Sequence, residues 1–297
     1  MTVELLAQQL VNGVALGAVY ALFAVGFALI LARMGILNVA HGTFATWGVL
    51  ASYWLITESG LGFWAAALLG ILFAGLIGVT ADLVAFGPLR KRNAGHYAPI
   101  IASIGIWICL LTLAEGFSGP SAVSYPADEV PSTPLEIGGL LVLPAHLMAV
   151  VALVVVVWGV HHLLNRTRFG SAVRAVSADA RSAAIVGVNA RTTLLVVAFL
   201  AAAIAGLAGV LAALADNNVS FNLGEGLLLK GFAAVVVGGY GDIRGAALCG
   251  VAIGVLEVLS SQYISSGFRD AITFGVLLAV LVVRPQGLFG ERQLVRA

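Results

Sequence analysis

Between Glu4 and Arg33 the chain carries no charged side chain, and five later stretches repeat the pattern: 34–57, 59–81, 93–114, 137–165 and 192–215. A helix needs roughly 20 mostly apolar residues to cross the hydrocarbon of a bilayer, so each run can hold one spanning helix. Three further segments are more broken. Residues 227–241 carry Lys230, 244–264 carry Glu257 near their middle, and 265–284 open with Arg269 and Asp270. We therefore expect an all-α polytopic membrane bundle, with nine segments on this count, about 8–10 in all, and 227–241 short enough to be re-entrant. Barrel strands alternate polar and apolar over about 10 residues, and these runs do not. Only 10% of the residues are charged, against roughly 25% in soluble domains, so lipid must be the solvent for most of the chain. One transmembrane domain over 1–297 follows. A cleavable signal peptide is not expected, because the first basic residue, Arg33, lies beyond the first apolar run.

Cytoplasmic loops collect Lys and Arg. Nine crossings with the N-terminus outside put 13 of the 15 basic residues on the inner side: Arg33, Arg90, Lys91, Arg92, Arg166, Arg168, Arg174, Arg181, Arg191, Arg244, Arg284, Arg292 and Arg296. Only Lys230 and Arg269 fall elsewhere. The C-terminus is then cytoplasmic.

Two loops are long. Residues 116–136, outside on this reading, hold four prolines with Asp128, Glu129 and Glu136. The prolines forbid a continued helix, and the loop is either a solvated connector or a docking surface for an external partner. Residues 165–191, NRTRFGSAVRAVSADARSAAIVGVNAR, form the inner loop. Ser177 can cap a short helix starting at Ala178 or Asp179, with an acid in its first turn. Ala183, Ala184, Val186 and Gly187 give it a small apolar surface, and Gly187 followed by Asn189 is a plausible stop. Such a helix either packs under its own bundle or is covered by a partner.

Enzyme chemistry finds little support. The sequence has no Walker phosphate loop, no HExxH and no GxSxG. The Gly-rich GGYGDIRG (238–245) has the wrong order for a dinucleotide turn. His96, His146, His161 and His162 sit in loops or near span ends. Cys109 and Cys249 lie in apolar runs as thiols, and no Cys/His spacing suggests a metal.

Charges at the centre of a span face the bundle interior or water. Glu257 and Lys230 are the two candidates, either as a register-fixing ion pair or as charges on a polar path; Asp82 and Glu115 lie near span ends. Gly13 and Gly17, and Gly250 and Gly254, form GxxxG pairs that indicate tight helix packing. The stretch GILNVAHGTF (35–44) opens the second span. Asn38 and His41, three apart, would share one helical face, and Gly35 and Gly42 loosen the helix. Either a broken helix lines a polar path there, or Asn38 caps a helix start with His41 packed behind it.

GILNVAHGTF resembles the signature of the permease subunits of branched-chain amino-acid ABC importers. The inner loop RFGSAVRAVSADARSAAIVGVN is similar to that family's ATPase-contacting loop, notably Arg174, Ala175, Ala184, Gly187 and Asn189. The stretch LLKGFAAVVVGGYGDIRGAALCG (228–250), with Lys230, Gly238, Gly239 and Gly245, resembles a third signature. Glu257 and the ending RPQGLFG (284–290) match as well. The short N-terminus and the Asn-x-x-His-Gly form resemble the shorter of two paralogous permeases. Val39 replaces the aromatic often found before Ala-His-Gly, and ADLVAFGPLRKR lacks the usual basic residue after its acid.

The resemblance implies a pore-forming subunit in a bacterial inner membrane, with no cofactor of its own. ATP and Mg would be bound by two partner ATPase subunits. A paralogous permease would complete the pore, and a soluble binding protein would deliver a branched-chain or other hydrophobic amino acid. Urea, short amides, and aromatic or other carboxylic acids are alternative substrates within the family. It also implies a substrate path at Asn38, His41, Gly42, Thr43, Lys230 and Glu257, and ATPase coupling through Arg174, Asp179, Ala183, Ala184, Gly187 and Asn189. An ion-coupled transporter or channel is the competing class. No nucleic-acid partner is implied.

Overall fold

The computed structural model describes residues 3–290 except 93, 96 and 132. His96, Arg292 and Arg296 of the charge and histidine assignments above lie outside the described residues. The helices are α1 (Val3–Met34), α2 (His41–Thr57), α3 (Phe63–Ala81) running through a π-helical turn (Asp82–Phe86) into α4 (Gly87–Lys91), α5 (Ala98–Ser118), α6 (Pro144–Arg166), α7 (Arg168–Ala178), α8 (Ala180–Ile185), α9 (Ala190–Asp216), α10 (Leu223–Gly238), α11 (Ile243–Tyr263) and α12 (Arg269–Val283). Among the described residues, seven helices are long and apolar enough to cross a membrane. The other two expected spans are α2 and α10, helices of 17 and 16 residues. α2 is short because residues 35–40 of the expected run 34–57 are not helical.

The long α1 is the axis. It is buried for most of its length against α11, α9, α10 and α6, whereas α5 and α12 keep most of their apolar side chains on the outside. The most extensive helix–helix interface joins α1 to α11, and the two GxxxG pairs lie in it. A Cβ at Gly17 would sit 2.5 Å from the Val251 carbonyl oxygen, and one at Gly250 2.5 Å from the Ala21 Cα. A Cβ at Gly254 would meet the backbone of Gly17, and one at Gly13 the Val255 Cα at 2.8 Å. Small residues let the backbones touch, which is how helices associate when lipid removes the hydrophobic drive.

One end of the bundle carries the loop between α5 and α6. It is pinned rather than free. Val123 pairs with Val219 after α9, and buried Tyr125 shares a 2.7 Å hydrogen bond with the Ser52 hydroxyl. Burial pushes the Tyr125 phenol up to about 12, partly opposed by that bond. A hairpin follows, β1 (Leu135–Ile137) antiparallel to β2 (Leu140–Val142). It occupies the start of the run 137–165, so the span begins only at Pro144. Gln8 holds the Leu141 backbone from both sides, accepting from its N–H at 2.9 Å and donating to its carbonyl at 2.8 Å.

At the other end GGYGDIRG and RPQGLFG meet. The Leu288 and Phe289 N–H groups donate to the Val237 and Gly238 carbonyls at 2.8 and 3.0 Å, and Asp242 caps α11 through the Arg244 and Gly245 N–H groups. Asp82, read from sequence as a span-end residue, is buried and takes a two-pronged bond from Arg90 at 2.8 and 2.7 Å. Removing one partner of a buried pair costs about 3–5 kcal/mol. Arg90→Ala should therefore lower the thermal stability of the purified protein strongly, and Asp82→Asn on top of it should restore much of the loss. A double variant no more stable than Arg90→Ala would contradict this.

Candidate functional site

A cavity of about 520 Å³ opens between α1, α6, α9, α10, α11 and α12. Its walls are mostly small or aliphatic, among them Ala15, Leu16, Val19, Ala149, Ala212 and Leu227. One side holds a network of charges. Lys230 Nζ lies 2.9 Å from Glu257 Oε1 and 2.6 Å from Asp270 Oδ1. Arg269 Nε also pairs with Glu257 Oε1, and the Tyr20 hydroxyl donates to the same oxygen at 3.1 Å. The Arg269 fork reaches the Tyr20 oxygen at 3.4 Å. Glu257 is fully buried, and its Oε2 has no hydrogen-bond partner among the described residues. Asp270 is 71% exposed at the mouth, and Asn12, His146 and Asp216 line the rest. Lys230 and Arg269, the two basic residues that break the sidedness pattern, thus meet on one carboxylate.

Sequence reasoning found Lys230 and Glu257 and missed Tyr20, Asp270 and Asp216. Tyr20 sits in an uncharged run where a tyrosine reads as core. Asp270 and Asp216 stand at span ends, where acids read as interfacial.

The stretch GILNVAHGTF lies next to this cavity. After α1 ends, Gly35 turns the chain with φ +64°, and residues 35–40 run back into the bundle without helix. His41 arrives beside Gly26, eight residues before Met34, or about 12 Å up the helix at about 1.5 Å per residue. Non-helical backbone at such depth must find partners inside the protein. Ser103 of α5 supplies one, accepting from the Val39 N–H at 3.1 Å; the Asn38 side chain supplies another, accepting from the Ala40 N–H at 3.1 Å. Asn38 and His41 therefore do not share a helical face, because Asn38 stands in the break. Ser103, the deciding partner, was not singled out from sequence. A lone serine amid apolar residues was its only signal.

His41 is fully buried among Phe23, Phe27 and Phe44, with ring centroids 4.9, 5.6 and 6.0 Å away. Neither ring nitrogen has a hydrogen-bond partner among the described residues. Thr43 turns its hydroxyl to the Ala40 carbonyl at 2.7 Å. Gly42 packs on Gly224 of α10, whose N–H donates to Thr46 at 3.1 Å. None of Asn38, His41, Gly42 and Thr43 lines the cavity. They form a buried layer beside it, with Phe23 one turn from Tyr20 on α1 and against Gly231 next to Lys230.

The basic end carries α7 and α8. Ser177 does not cap α8. Its hydroxyl serves the Arg33 and Val173 carbonyls at 3.0 and 2.8 Å, because Ser177 lies inside α7, a helix not expected from sequence. Asp179 is the cap, accepting from the Arg181 and Ser182 N–H groups at 3.0 and 3.2 Å. The Ser182 hydroxyl, then those N–H groups, hold its carboxyl below the usual carboxylate range, so the cap weakens only as the solution turns acid. Arg174 bonds the Leu164 carbonyl at the end of α6 and the Ser171 hydroxyl, fixing α7 to the bundle. Ala183 is buried against that support, Ala184 faces out, and Ile185 and Val186 project with 87% and 75% exposure. Gly187 ends the turn at φ +85°. Asn189 belongs to the next helix, capping α9 through the Thr192 N–H at 3.1 Å.

Comparison with known proteins places these features in context. Residues 9–281 match the family model described as branched-chain amino acid transport system, permease component. The chain is 30% identical over 304 residues to the high-affinity branched-chain amino acid transport system permease protein LivH of Escherichia coli K12, covering 96% of this chain and 95% of that protein. It is 28% identical to BraD of Pseudomonas aeruginosa with the same coverage. LivM of Escherichia coli K12, another permease of such a system, is 25% identical over 91% of this chain and 67% of its own length.

Proposed function

The chain belongs to the family of permease components of branched-chain amino acid transport systems, and from that premise we propose that it is the pore-forming subunit of an ATP-driven importer, moved by partner ATPases through α8. It is a multi-pass membrane protein with seven helices of spanning length among the described residues. In the proposed orientation the basic end faces the cytoplasm of a bacterial inner membrane, the N-terminus lies outside, and the loop over 116–136 meets a soluble binding protein. A paralogous permease completes the pore, and ATP and Mg are held by two ATPase subunits rather than by this chain.

The observation that carries this reading is the tip of α8. Two large apolar side chains, Ile185 and Val186, project from a short helix whose other face is anchored by Ala183 and whose support is stapled by Arg174. An exposed apolar tip on a rigid mount suits insertion into a partner's groove. ATP-driven closure of the partners then displaces the mount and, through Ser177 on the Arg33 carbonyl, the end of α1. In this reading Lys230 and Glu257 belong to the substrate path. The layer of His41, Phe23, Phe27 and Phe44 is the closed gate on its cytoplasmic side, and Asn38, Gly42 and Thr43 shape the break that lets it move. Branched-chain amino acids are the proposed substrates.

Uptake of labelled leucine by cells carrying the complete system tests the proposal. It should vanish when the partner ATPases carry an inactivated Walker lysine. The charge network at membrane depth favours one second reading, an ion-coupled transporter, for which uptake would persist in those cells and follow a proton or sodium gradient. The gate assignment makes its own prediction. His41→Ala opens a hole in the aromatic layer, so uptake should fall at least about tenfold while the assembled yield falls far less. Unchanged uptake at full expression would return His41 to packing alone.

A further inference from the structure

A second cavity, of about 690 Å³, lies at the basic end of the bundle, where α1, α6 and the start of α11 meet. Its polar walls are Arg33, His161, Asn165, Asp242 and Arg244, with exposed Tyr240 at the edge. Arg33 stands at the end of α1, Arg244 at the start of α11 and His161 in the last two turns of α6. These are ends of spanning helices, so the cavity sits at the depth of lipid head groups. Its charges are not balanced. Asp242 is the only acid lining it among the described residues, and its Oδ1 is taken by the α11 cap. No ion pair joins Arg33 or Arg244 to an acid among the described residues. The Arg33 Nε is buried without a hydrogen-bond partner there. Arg244 Nη2 lies instead 3.0 and 3.1 Å from the two ring nitrogens of His161, and Asn165 Nδ2 lies 2.8 Å from Nδ1 of the same ring. A guanidinium only donates, so the imidazole orients the Arg244 charge without cancelling it. A buried donor left unmet is costly, and an anion between the two arginines would relieve it.

We propose that this cavity holds the phosphate of an anionic phospholipid, with Arg33 and Arg244 as its guanidinium ligands. Guanidinium forks match phosphate oxygens in pairs, and basic pockets between spanning helices take anionic head groups. The adjoining surface favours a lipid over free phosphate. Val154, Trp158, His161 and Asn165 follow one another along α6 at steps of four, three and four residues, so they share one face. Val154 and Trp158 are exposed and continue that face from the cavity toward the hydrocarbon. A phosphate on Arg244 beside His161 thus has an apolar track for its acyl chains, which a free phosphate would not use. Trp158 and Tyr240, both exposed, are of the type that settles at the membrane–water interface. Bound there, the lipid would join α1, α6 and α11 beside the Arg33 carbonyl that accepts from Ser177. The site stands apart from the charge network around Glu257 and needs no particular transport mechanism.

Thermal unfolding of the purified full chain in dodecyl maltoside tests this, with dioleoyl phosphatidylglycerol, dioleoyl phosphatidylcholine or inorganic phosphate added at equal concentration. Phosphatidylglycerol should raise the midpoint by about 4 °C or more, and zwitterionic phosphatidylcholine or inorganic phosphate by about 1 °C or less. In the double variant Arg33→Gln, Arg244→Gln the phosphatidylglycerol shift should fall to the phosphatidylcholine level. Arg92→Gln removes an exposed charge outside the cavity and should keep the full shift. Equal shifts from the two lipids on the wild-type chain would overturn the proposal, as would a folded double variant that keeps the full shift. An equal loss from Arg92→Gln would reduce the effect to general attraction between the basic residues and anionic lipid, and the site would fall. A shift from inorganic phosphate as large as that from phosphatidylglycerol would overturn the lipid assignment. The wild-type arms decide even if the double variant does not fold.

Discussion

Gly254→Leu should yield no assembled bundle. A Cβ at this position runs into the backbone of Gly17, and the Gly13 carbonyl oxygen is 2.9 Å from it. These are main-chain atoms of α1, the buried axis of the molecule, so no rotamer can give way. The α1–α11 pair must separate, and the matching approaches at Gly13, Gly17 and Gly250 are lost together. Overpacking a core typically costs about 1–3 kcal/mol when side chains can adjust. Here they cannot, and the loss should exceed that range, against a total stability of about 5–15 kcal/mol for folded domains. Gly105→Leu on α5 is the control, because a Cβ there meets nothing within 4 Å. Fluorescence-detected gel filtration should show the Gly105 variant as a sharp peak and the Gly254 variant as aggregate. A sharp peak from both would mean that α1 and α11 are not packed backbone to backbone.

Gly187→Val should separate ATP hydrolysis from uptake. The φ of +85° costs an ordinary L-residue about 1–2 kcal/mol, and a β-branched one is a genuine outlier there. The turn must re-form, which moves Ile185 and Val186 while leaving the bundle untouched, since a Cβ at Gly187 meets nothing within 4 Å. Hydrolysis by the assembled complex should continue and uptake should fall at least about tenfold, the loss expected when a lever no longer meets its partner. Ile185→Glu should do the same by a different route, placing a charge where an apolar groove is expected. Normal uptake by both variants would remove α8 from the coupling path.

Much of this architecture was legible because charge is scarce. In an apolar chain each ionisable residue is costly, so Lys230 and Arg269 stood out by side and Glu257 by depth, and the structure joins the three. The GxxxG pairs were legible as packing surfaces but not as each other's partners, since a glycine pair records closeness and not direction. What escaped depends on contacts between distant segments. A break at 35–40 is legible from Gly35 and Gly42 only as one of two readings, and what holds it open, Ser103, lies 64 residues after Val39. The hairpin over 135–142 hid inside an apolar run because a two-stranded ribbon and a span start draw on the same residues. Ser177 and Asp179 are both good helix caps. Only α7, whose helix already contains Ser177, decides between them.

The central claim is that this chain is a gate without a motor. Labelled leucine accumulation in proteoliposomes tests it most directly, comparing the chain alone under imposed proton or sodium gradients with the complete complex supplied with ATP. Uphill accumulation only in the complete complex, only with ATP, and indifferent to the gradients is the expected result. Sustained accumulation by the chain alone, driven by either gradient, would contradict the account.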